Sequence, residues 1–330
     1  MMRVALKTDV YERILNDIAL FKNNGQNGEE GYSFKINAFL NRVFLNMCGG
    51  ERVALENSRN KRGTTVGITV KTNKSIDALF SRAGIDIYTR ADDTNAVSAP
   101  KYYAYHIEAY AQKGQAERER IFYRDMMDDF EDCASHRRLI GLTWWKNRRE
   151  SYERENLLPY KLFYSEDTNQ TYFIVFLLNP TPEGLVYEKT LTVPLHKILE
   201  FRKGVLLPEA PDAPLVFRNE PFHSQEGLID YTERRIADGE ALFLSAEKEP
   251  VEVELTDEGL EHLQARSLFR PRNIERLPPP HDHTIRFEAT MLHTFMYFFK
   301  FGGDALVVSP PSYRDFFMEK YREALDKYES

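Results

Sequence analysis

The residues whose side chains could carry out chemistry are few and widely spaced. His281, Asp282 and His283 can bind a metal ion, but they follow three prolines and no further ligand stands nearby, which favours a solvated turn. His106 lies in a Tyr-rich stretch of helical spacing and fits packing better than catalysis. The acidic row from Glu117 to Asp129 has nothing that would make it an acid–base pair.

The familiar catalytic motifs are missing from the sequence. It contains no GxSxG, no HExxH, no Walker lysine loop and no GxGxxG. Cys48 and Cys133 are far apart and outside any CxxC spacing, so they encode neither a disulfide scaffold nor a zinc site. We therefore expect a protein that is not an enzyme and has no cofactor and no metal site.

Composition and charge narrow the class of partner. The chain has 330 residues, 42% hydrophobic and 13% aromatic, which predicts a folded protein of several domains. No apolar run is long enough to cross a membrane, and the first eight residues lack the apolar core of a signal peptide, so we expect a cytoplasmic protein. Residues 1–72 hold 11 Lys/Arg and 7 Asp/Glu (+4), whereas residues 205–330 hold 14 and 24 (−10). A polyanion is expected at the N-terminal part or in a local pocket.

One pattern occurs twice in residues 1–114. The stretch from Val4 to Asp9 predicts a short strand, and Thr8 or Asp9 can cap the helix that follows it. A second helix is predicted from Ser33 to Gly49–Gly50. The stretch from Ile68 to Asn73 aligns with it at an offset of 64 and is again followed by two helices, the second from Ala99 to Gln112. We predict two tandem ribbon-helix-helix units, at about 3–48 and 66–113, whose strands pair into an antiparallel ribbon.

Such a ribbon would expose a row of polar side chains. The residues expected to contact nucleic acid from its outward face are Arg3, Lys7, Thr69 and Lys71. A two-stranded ribbon fits the DNA major groove, and helix N-termini at Ser33 and Ser98 could hold phosphates. Ala5 is too short to reach a base and Gly67 has no side chain, so a module that only mediates assembly fits nearly as well.

The rest of the chain predicts three further parts. Residues 115–136 predict an amphipathic linker helix. We expect Ile121, Met127 and Phe130 to be buried and the charged side chains of this helix to lie in solvent. Five short strands in residues 137–206 predict a small β-barrel of the SH3 or Sm type. A Pro-rich linker (207–249) then leads to a small α+β sandwich (250–330). The fold class is therefore α+β with several domains.

Two segments resemble the WYL-domain family. The strand Thr171–Phe176 aligns with the Trp-Tyr-Leu strand that names the family and keeps its central residue, Tyr172. Arg154 and the pair Pro159–Tyr160 match the element that precedes it. The stretch Phe298–Pro310 is similar to the C-terminal extension of these proteins and is the most specific match.

The resemblance implies a ligand and a partner. One subset of the family joins a ribbon-helix-helix start to the WYL domain and its extension; it includes accessory proteins of type VI-D CRISPR loci, which bind single-stranded RNA and stimulate an RNA-guided nuclease. The resemblance to this subset implies a homodimer and an oligonucleotide ligand. The chain departs from the family at Thr192 and Lys197, which stand where the family usually has arginines, so its basic pocket should carry fewer arginines than usual. The WYL residues expected to bind nucleic acid are Arg154, Tyr160, Lys161, Tyr172 and Lys197.

Three functions follow from these patterns. The leading hypothesis is a regulatory protein whose WYL region binds single-stranded RNA or DNA, through stacking on tyrosines and contacts to phosphates, and which modulates a CRISPR nuclease. The alternative is a ligand-responsive transcription regulator that binds double-stranded DNA through the ribbon. A weaker possibility is a scaffold that binds a protein through the acidic C-terminal part.

Overall fold

The structure is a computed structural model that describes residues 1–21, 36–50, 64–85, 97–147, 150–182, 184–207, 215–217 and 224–329. The chain divides into two compact units, which are described separately. The first comprises Met1–Phe173 and Val193–Leu207, and the second comprises Ile174–Thr192 and Pro208–Ser330.

The N-terminal part of the first unit contains the strand–helix–helix pattern twice. Its elements are β1 (Met2–Lys7), α1 (Thr8–Phe21), α2 (Ile36–Met47), β2 (Thr65–Val70), α3 (Lys74–Arg82) and α4 (Ala99–Ala111). Strands β1 and β2 pair antiparallel, which confirms the predicted ribbon. Because side chains alternate along a strand, Val4, Leu6, Ile68 and Val70 are all buried on one face of it.

The register of the ribbon agrees with the repeat. Val4 lies opposite Ile68, its counterpart 64 positions later. On either side, Arg3 lies opposite Thr69, and Ala5 lies opposite Gly67. Thr69 is the counterpart of Ala5, and Gly67 the counterpart of Arg3, so the pairing is what a local two-fold axis through Val4 and Ile68 requires. Both strands come from one chain, so the ribbon forms without a second copy, and the homodimer stays a prediction.

The predicted linker helix is two helices. The structure has α5 (Gln115–Phe122) and α6 (Arg124–Ser135), and Tyr123 between them has φ −101° and ψ 18°. The Tyr123 ring is buried 4.8 Å from Phe122 and its hydroxyl donates to the carbonyl of Phe21, so this anchor interrupts the helix. The apolar face is as predicted, with Ile121, Met127 and Phe130 buried.

The five strands predicted as a barrel form an open sheet instead. They are β3 (Arg138–Trp145), β4 (Ser151–Ser165), β5 (Gln170–Thr181), β6 (Gly184–Pro194) and β7 (Ile198–Leu206), in the order β6-β5-β4-β3-β7. The prediction of a closed SH3 or Sm-type barrel is therefore wrong. Strand β6, at one edge of the sheet, forms a parallel bridge with the segment around Val216, where Val216 N donates to Leu185 O at 2.9 Å. This segment occupies the edge of β6 that would have to pair with β7 to close a barrel.

A bulge in β4 sets which side chains share a face. Ile140 lies opposite Leu157, whereas Leu142 lies opposite Arg154, so β4 has one extra residue there, and Asn156 has a φ of +56°. Arg154 therefore lies on the same face of the sheet as Leu142 and Leu157, and Glu153 and Glu155 lie on the other. Helix α6 packs on the first face, where Phe130 stacks on Phe173 at 4.0 Å.

The C-terminal part of the second unit has the predicted order of strands and helices. Its elements are α7 (Gln225–Ala237), β8 (Glu249–Leu255), α8 (Asp257–Ala265), β9 (Glu275–Arg276), β10 (Thr284–Ala289), α9 (Met291–Phe298), β11 (Ala305–Ser309) and α10 (Pro311–Glu329). The sheet order is β11-β8-β10-β9. Helix α7 lies in the stretch predicted as a linker, and its buried Arg235 pairs with Glu240 at 2.9 Å. Within the described residues, no helix has the length and apolarity to span a membrane.

Candidate nucleic-acid interface

The ribbon exposes one face of short side chains with few cations. Arg3, Ala5, Thr65, Gly67 and Thr69 are all exposed there, as expected from the alternation. Arg3 is the long side chain near the middle, and its guanidinium lies over Gly67: an ideal Cβ at Gly67 would stand 3.1 Å from its Nε and 3.2 Å from its Nη2. The centre of the exposed face of the ribbon therefore presents the guanidinium of Arg3.

The two lysines of the ribbon differ in their surroundings. Lys7 Nζ lies 2.8 Å from Glu108 Oε2 of α4, and this hydrogen bond and the Glu108 charge raise the pKa of Lys7. Lys71 directly follows β2, is exposed and has no ion pair among the described residues. The carboxylate thus offsets the charge at the Lys7 end of the ribbon, while the end with Arg3 and Lys71 keeps its positive charge.

Of the two predicted helix N-termini, one can be assessed. Ser33 lies outside the described residues. Ser98 is the N-cap of α4, but its side chain makes no capping hydrogen bond, and Pro100 in the first turn has no N–H to offer a phosphate. The start of α4 is therefore a poorer phosphate site than the sequence predicts.

An aromatic and cationic cluster lies at the β3–β4 hairpin; we call Trp144, Lys146, Tyr152 and Arg154 the hairpin cluster. Trp144 and Tyr152 lie directly opposite each other, with ring centroids 5.6 Å apart. The Lys146 ammonium lies 5.5 Å and the Arg154 guanidinium 5.8 Å from the centre of the Tyr152 ring. Tyr152 is 37% exposed. Arg154 is among the residues predicted from the sequence and Tyr152 is not, although Tyr152 and Arg154 alternate along one strand and two tryptophans lie on the preceding one.

The other predicted WYL residues do not join this cluster. Tyr172 is 7% exposed, and its hydroxyl donates to Thr168 Oγ1 at 3.1 Å, so its ring offers no surface on which a base could stack. Lys161 is half-buried, with its ammonium 5.8 Å from the Tyr160 ring centre. Lys161 follows Arg154 by seven residues along β4, a span of about 20 Å in an extended strand.

Lys197 lies apart, in the short 3₁₀ turn Leu195–Lys197 that precedes β7. It is half-buried. Burial and the Lys197 charge together lower the pKa of the neighbouring His196 to about 4. The structure therefore keeps His196 neutral and leaves Lys197 as a single cation in a packed turn, so the five WYL residues predicted together do not form one pocket.

The opposite face of this sheet is acidic. Arg202 of β7 lies among three carboxylates: its Nη2 is 2.6 Å from Glu155 Oε1 and 2.9 Å from Glu153 Oε1, and its Nη1 donates to Glu200. The Glu155 carboxylate lies over Gly141, where a Cβ would collide with it. One cation among three anions leaves this face negative, so it would repel a polyanion.

Helix α5 carries two buried charges that point to different neighbours. Arg118 Nε and Nη2 lie 2.8 and 3.0 Å from the two carboxylate oxygens of Asp17 in α1, and Tyr110 of α4 donates to Asp17 at 2.9 Å. Glu119 Oε2 accepts from Thr171 N at 2.8 Å and from Thr171 Oγ1 at 2.7 Å. Burial raises the pKa of Glu119 to about 7, against the opposing effect of the Thr171 hydrogen bonds. The sequence pattern predicts that these charges lie in solvent, and that prediction is wrong.

The histidine stretch does not build a metal site. His283 Nδ1 lies 3.1 Å from the carbonyl of Leu255, and His281 N donates to Pro278 O in the turn. Within the part of the chain that the structure describes, no three His, Cys, Asp or Glu side chains come close enough to share a metal ion.

The comparisons with known proteins give a fold. No protein-family model matches the chain, and no curated protein matches it. Among solved structures, the chain is similar to one described as "Crystal structure of a CRISPR Cas-related protein", with a TM-score of 0.67 and 16% identity over 99% of this chain and 94% of that chain. It also aligns with proteasome accessory factor B/C (PafBC) of Arthrobacter aurescens at a TM-score of 0.28 and 17% identity, over 78% of this chain and 36% of that chain; this second likeness is too weak to support an argument. The first shows that the two chains share a fold.

Proposed function

We propose that the protein is a non-enzymatic regulatory protein that binds single-stranded nucleic acid at the hairpin cluster. Of the two single-stranded nucleic acids, RNA is the first candidate. The observation that supports it is the exposed Tyr152 ring, opposite Trp144 and flanked by Lys146 and Arg154. Aromatic rings take the face of any base, and Arg154 lies where it can meet a phosphate, so the cluster suits an unpaired strand with little sequence preference. Lys146 pairs with Glu150 at 3.2 Å, so its charge is partly offset and Arg154 is the main phosphate contact.

The alternation of charge on the sheet supports the same face. Glu153 and Glu155 lie on the other face with Arg202 and Glu200, and that face repels phosphates. A single strand would therefore contact the sheet from the side of Tyr152 and Arg154. The sequence between β3 and β4 also contains Arg148 and Arg149, which lie outside the described residues.

The test is an affinity measurement with a fluorescein-labelled single-stranded RNA of mixed sequence, titrated at several salt concentrations. The double variant Tyr152→Ala, Arg154→Ala should bind about 10-fold or more weakly and with a shallower salt dependence, since it loses a stacking surface and a phosphate contact. Tyr328→Ala, Lys300→Ala is the matched control, because it removes an exposed aromatic and an exposed cation of the other unit. Equal affinity of the two double variants would refute the site.

We also propose that this regulation belongs to a CRISPR system. The support is the fold shared over 99% of the chain with a protein described as CRISPR Cas-related. The gene should then lie beside one for an RNA-guided nuclease, and the purified chain should change the rate at which that nuclease cleaves RNA. A locus without any such gene would contradict the proposal.

The second candidate is binding of double-stranded DNA by the ribbon, with the protein acting as a transcription regulator. The ribbon supports it, because its large apolar side chains lie on the inner face and its exposed face carries Arg3 and Lys71. Lys71→Ala should weaken binding to duplex DNA and leave the binding of single-stranded RNA unchanged. Loss of both would show that the lysine acts on folding or on one shared site.

A further inference from the structure

The local symmetry of the ribbon is broken at one pair of positions. The axis through Val4 and Ile68 relates position 3 to position 67, and these positions hold Arg3 and Gly67. The Arg3 guanidinium lies over Gly67, its own symmetry counterpart. In a symmetric ribbon, two arginines would compete for this space at the axis and repel each other, whereas the glycine leaves room for one.

The charges at the two ends of the ribbon are unequal as well. Lys7 and Lys71 are related by the same axis, but Glu108 forms an ion pair with Lys7 at 2.8 Å, and Lys71 has no ion pair in the described part of the chain. Arg3, which likewise has no ion pair among the residues that the structure describes, lies opposite Thr69, two residues before Lys71. Both of these cations therefore lie in the same half of the ribbon. The charge on the exposed face is therefore greater at one end of the ribbon than at the other, although the backbone beneath it is nearly symmetric.

We propose that Arg3 is the specificity-determining residue of the ribbon, and that it selects one guanine in a non-palindromic duplex DNA site. This inference rests on the second candidate function and does not depend on the binding of single strands at the hairpin cluster. A guanidinium can donate two hydrogen bonds to the O6 and N7 of guanine in the major groove, which is the commonest specific contact of an arginine with DNA. Ala5, Gly67 and Thr69 are short, so the Arg3 side chain can reach past them to a base edge.

The asymmetry decides the form of the DNA site. A symmetric dimer of two identical ribbons reads the same base twice, on opposite strands, and therefore prefers a palindrome. Here Gly67 has no side chain to make the second contact, so the guanine should occur on one strand, without a partner at the symmetry-related position. Lys71 should hold a phosphate at the same end, which fixes the orientation of the chain on the duplex.

The experiment is selection of bound duplexes from a randomised DNA library with the full chain, followed by affinity measurements on the selected site. The wild-type chain should select an asymmetric site with one invariant guanine. Arg3→Ala should weaken the preference for that guanine by about 10-fold, because it removes the side chain that contacts the base, while Lys71 keeps non-specific binding. The exchange variant Arg3→Gly, Gly67→Arg should move the guanine to the opposite strand. Gly67→Arg alone should weaken the preference for the guanine, because the two guanidiniums then compete for the space at the axis.

Several results would overturn the inference. A palindromic wild-type site, a guanine preference unchanged in Arg3→Ala, or an exchange variant that selects the wild-type site would each do so, and so would a library from which no duplex is enriched. Both positions are exposed, so the variants should fold, and their affinity for single-stranded RNA checks this independently. RNA binding that persists without duplex selection refutes the role of Arg3 and leaves the hairpin cluster standing; the reverse outcome refutes the hairpin cluster alone.

Discussion

Arg118 of α5 and Asp17 of α1 form a buried, two-point ion pair, with nitrogen–oxygen distances of 2.8 and 3.0 Å. Asp17 is fully buried and also accepts a hydrogen bond from Tyr110. The pair joins the first helix of the chain to the helix that follows the second repeat, so it fixes both repeats to α5.

Removing one partner should destabilise the fold strongly. In Arg118→Ala, Asp17 remains buried without its cation, and the free energy of unfolding should fall by about 3–5 kcal/mol. Glu12→Ala, at an exposed position of α1, serves as the control and should change it by less than about 0.5 kcal/mol. Chemical denaturation followed by circular dichroism measures both. A small loss in Arg118→Ala, similar to that of the control, would mean that the ion pair contributes little.

Glu119 should make stability depend on pH in a predictable direction. Its pKa is raised by burial from about 4.5 in the unfolded chain to about 7 in the folded one. The folded state then binds the proton more tightly, so this group stabilises the fold below pH 4.5, and that contribution is lost as the pH rises to 7.

The measurable consequence lies in the variant Glu119→Gln, which keeps an oxygen for the Thr171 hydrogen bonds and cannot ionise. Its stability relative to the wild type should rise between pH 5 and pH 8, by up to about 3 kcal/mol if the whole shift is realised. Urea titrations at four pH values give the difference. A difference that stays constant with pH would show that Glu119 is ionised throughout.

Glu108 should limit the affinity of the ribbon for polyanions. Because it pairs with Lys7 at 2.8 Å, Glu108→Gln should free that cation, tighten the binding of duplex DNA several-fold and steepen the dependence of log K on log salt by about 0.9, the value of one extra phosphate contact. Glu261→Gln, at an exposed position of α8, makes the same change in net charge. If the two variants bind equally well, net charge and not the Lys7 pair is responsible.

Tryptophan fluorescence should report on the hairpin cluster. The chain has two tryptophans, Trp144 and Trp145, both on β3, and neighbouring residues of a strand point to opposite faces. Binding of single-stranded RNA on the Tyr152 face should quench Trp144. The quenching should therefore disappear in Trp144→Phe and persist in Trp145→Phe. Equal quenching in both variants would place the strand elsewhere.

Elements that are set by a local pattern of residues were predictable from the sequence, whereas burial that depends on neighbouring elements was not. The ribbon was predictable because Val4, Leu6, Ile68 and Val70 alternate with polar residues, and a shift of register by one would expose all of them. Tyr172 was misjudged because β5 lies inside the sheet, between β6 and β4, and residues 171–178 are all buried, which a single strand cannot reveal.

The charges of α5 and the hairpin cluster were missed for related reasons. Arg118 and Glu119 sit in a run of alternating charges that usually marks a solvated helix, and nothing in that run points to Asp17 or Thr171, which are 101 and 52 residues away in sequence. The position of Tyr152 opposite Trp144 depends on the register of the β3–β4 hairpin. The bulge at Asn156 adds one residue to β4, so the alternation of its side chains between the two faces changes at that point.

The covalent link between the two ribbon strands has a consequence for the protein at low abundance. In a dimeric ribbon, the strands separate when the protein is diluted below its dissociation constant. Here β1 and β2 are tethered by the intervening chain, so each sees the other at an effective concentration of the order of millimolar, whatever the number of molecules in the cell. The ribbon therefore stays paired in each molecule even when the protein is present at a very low concentration.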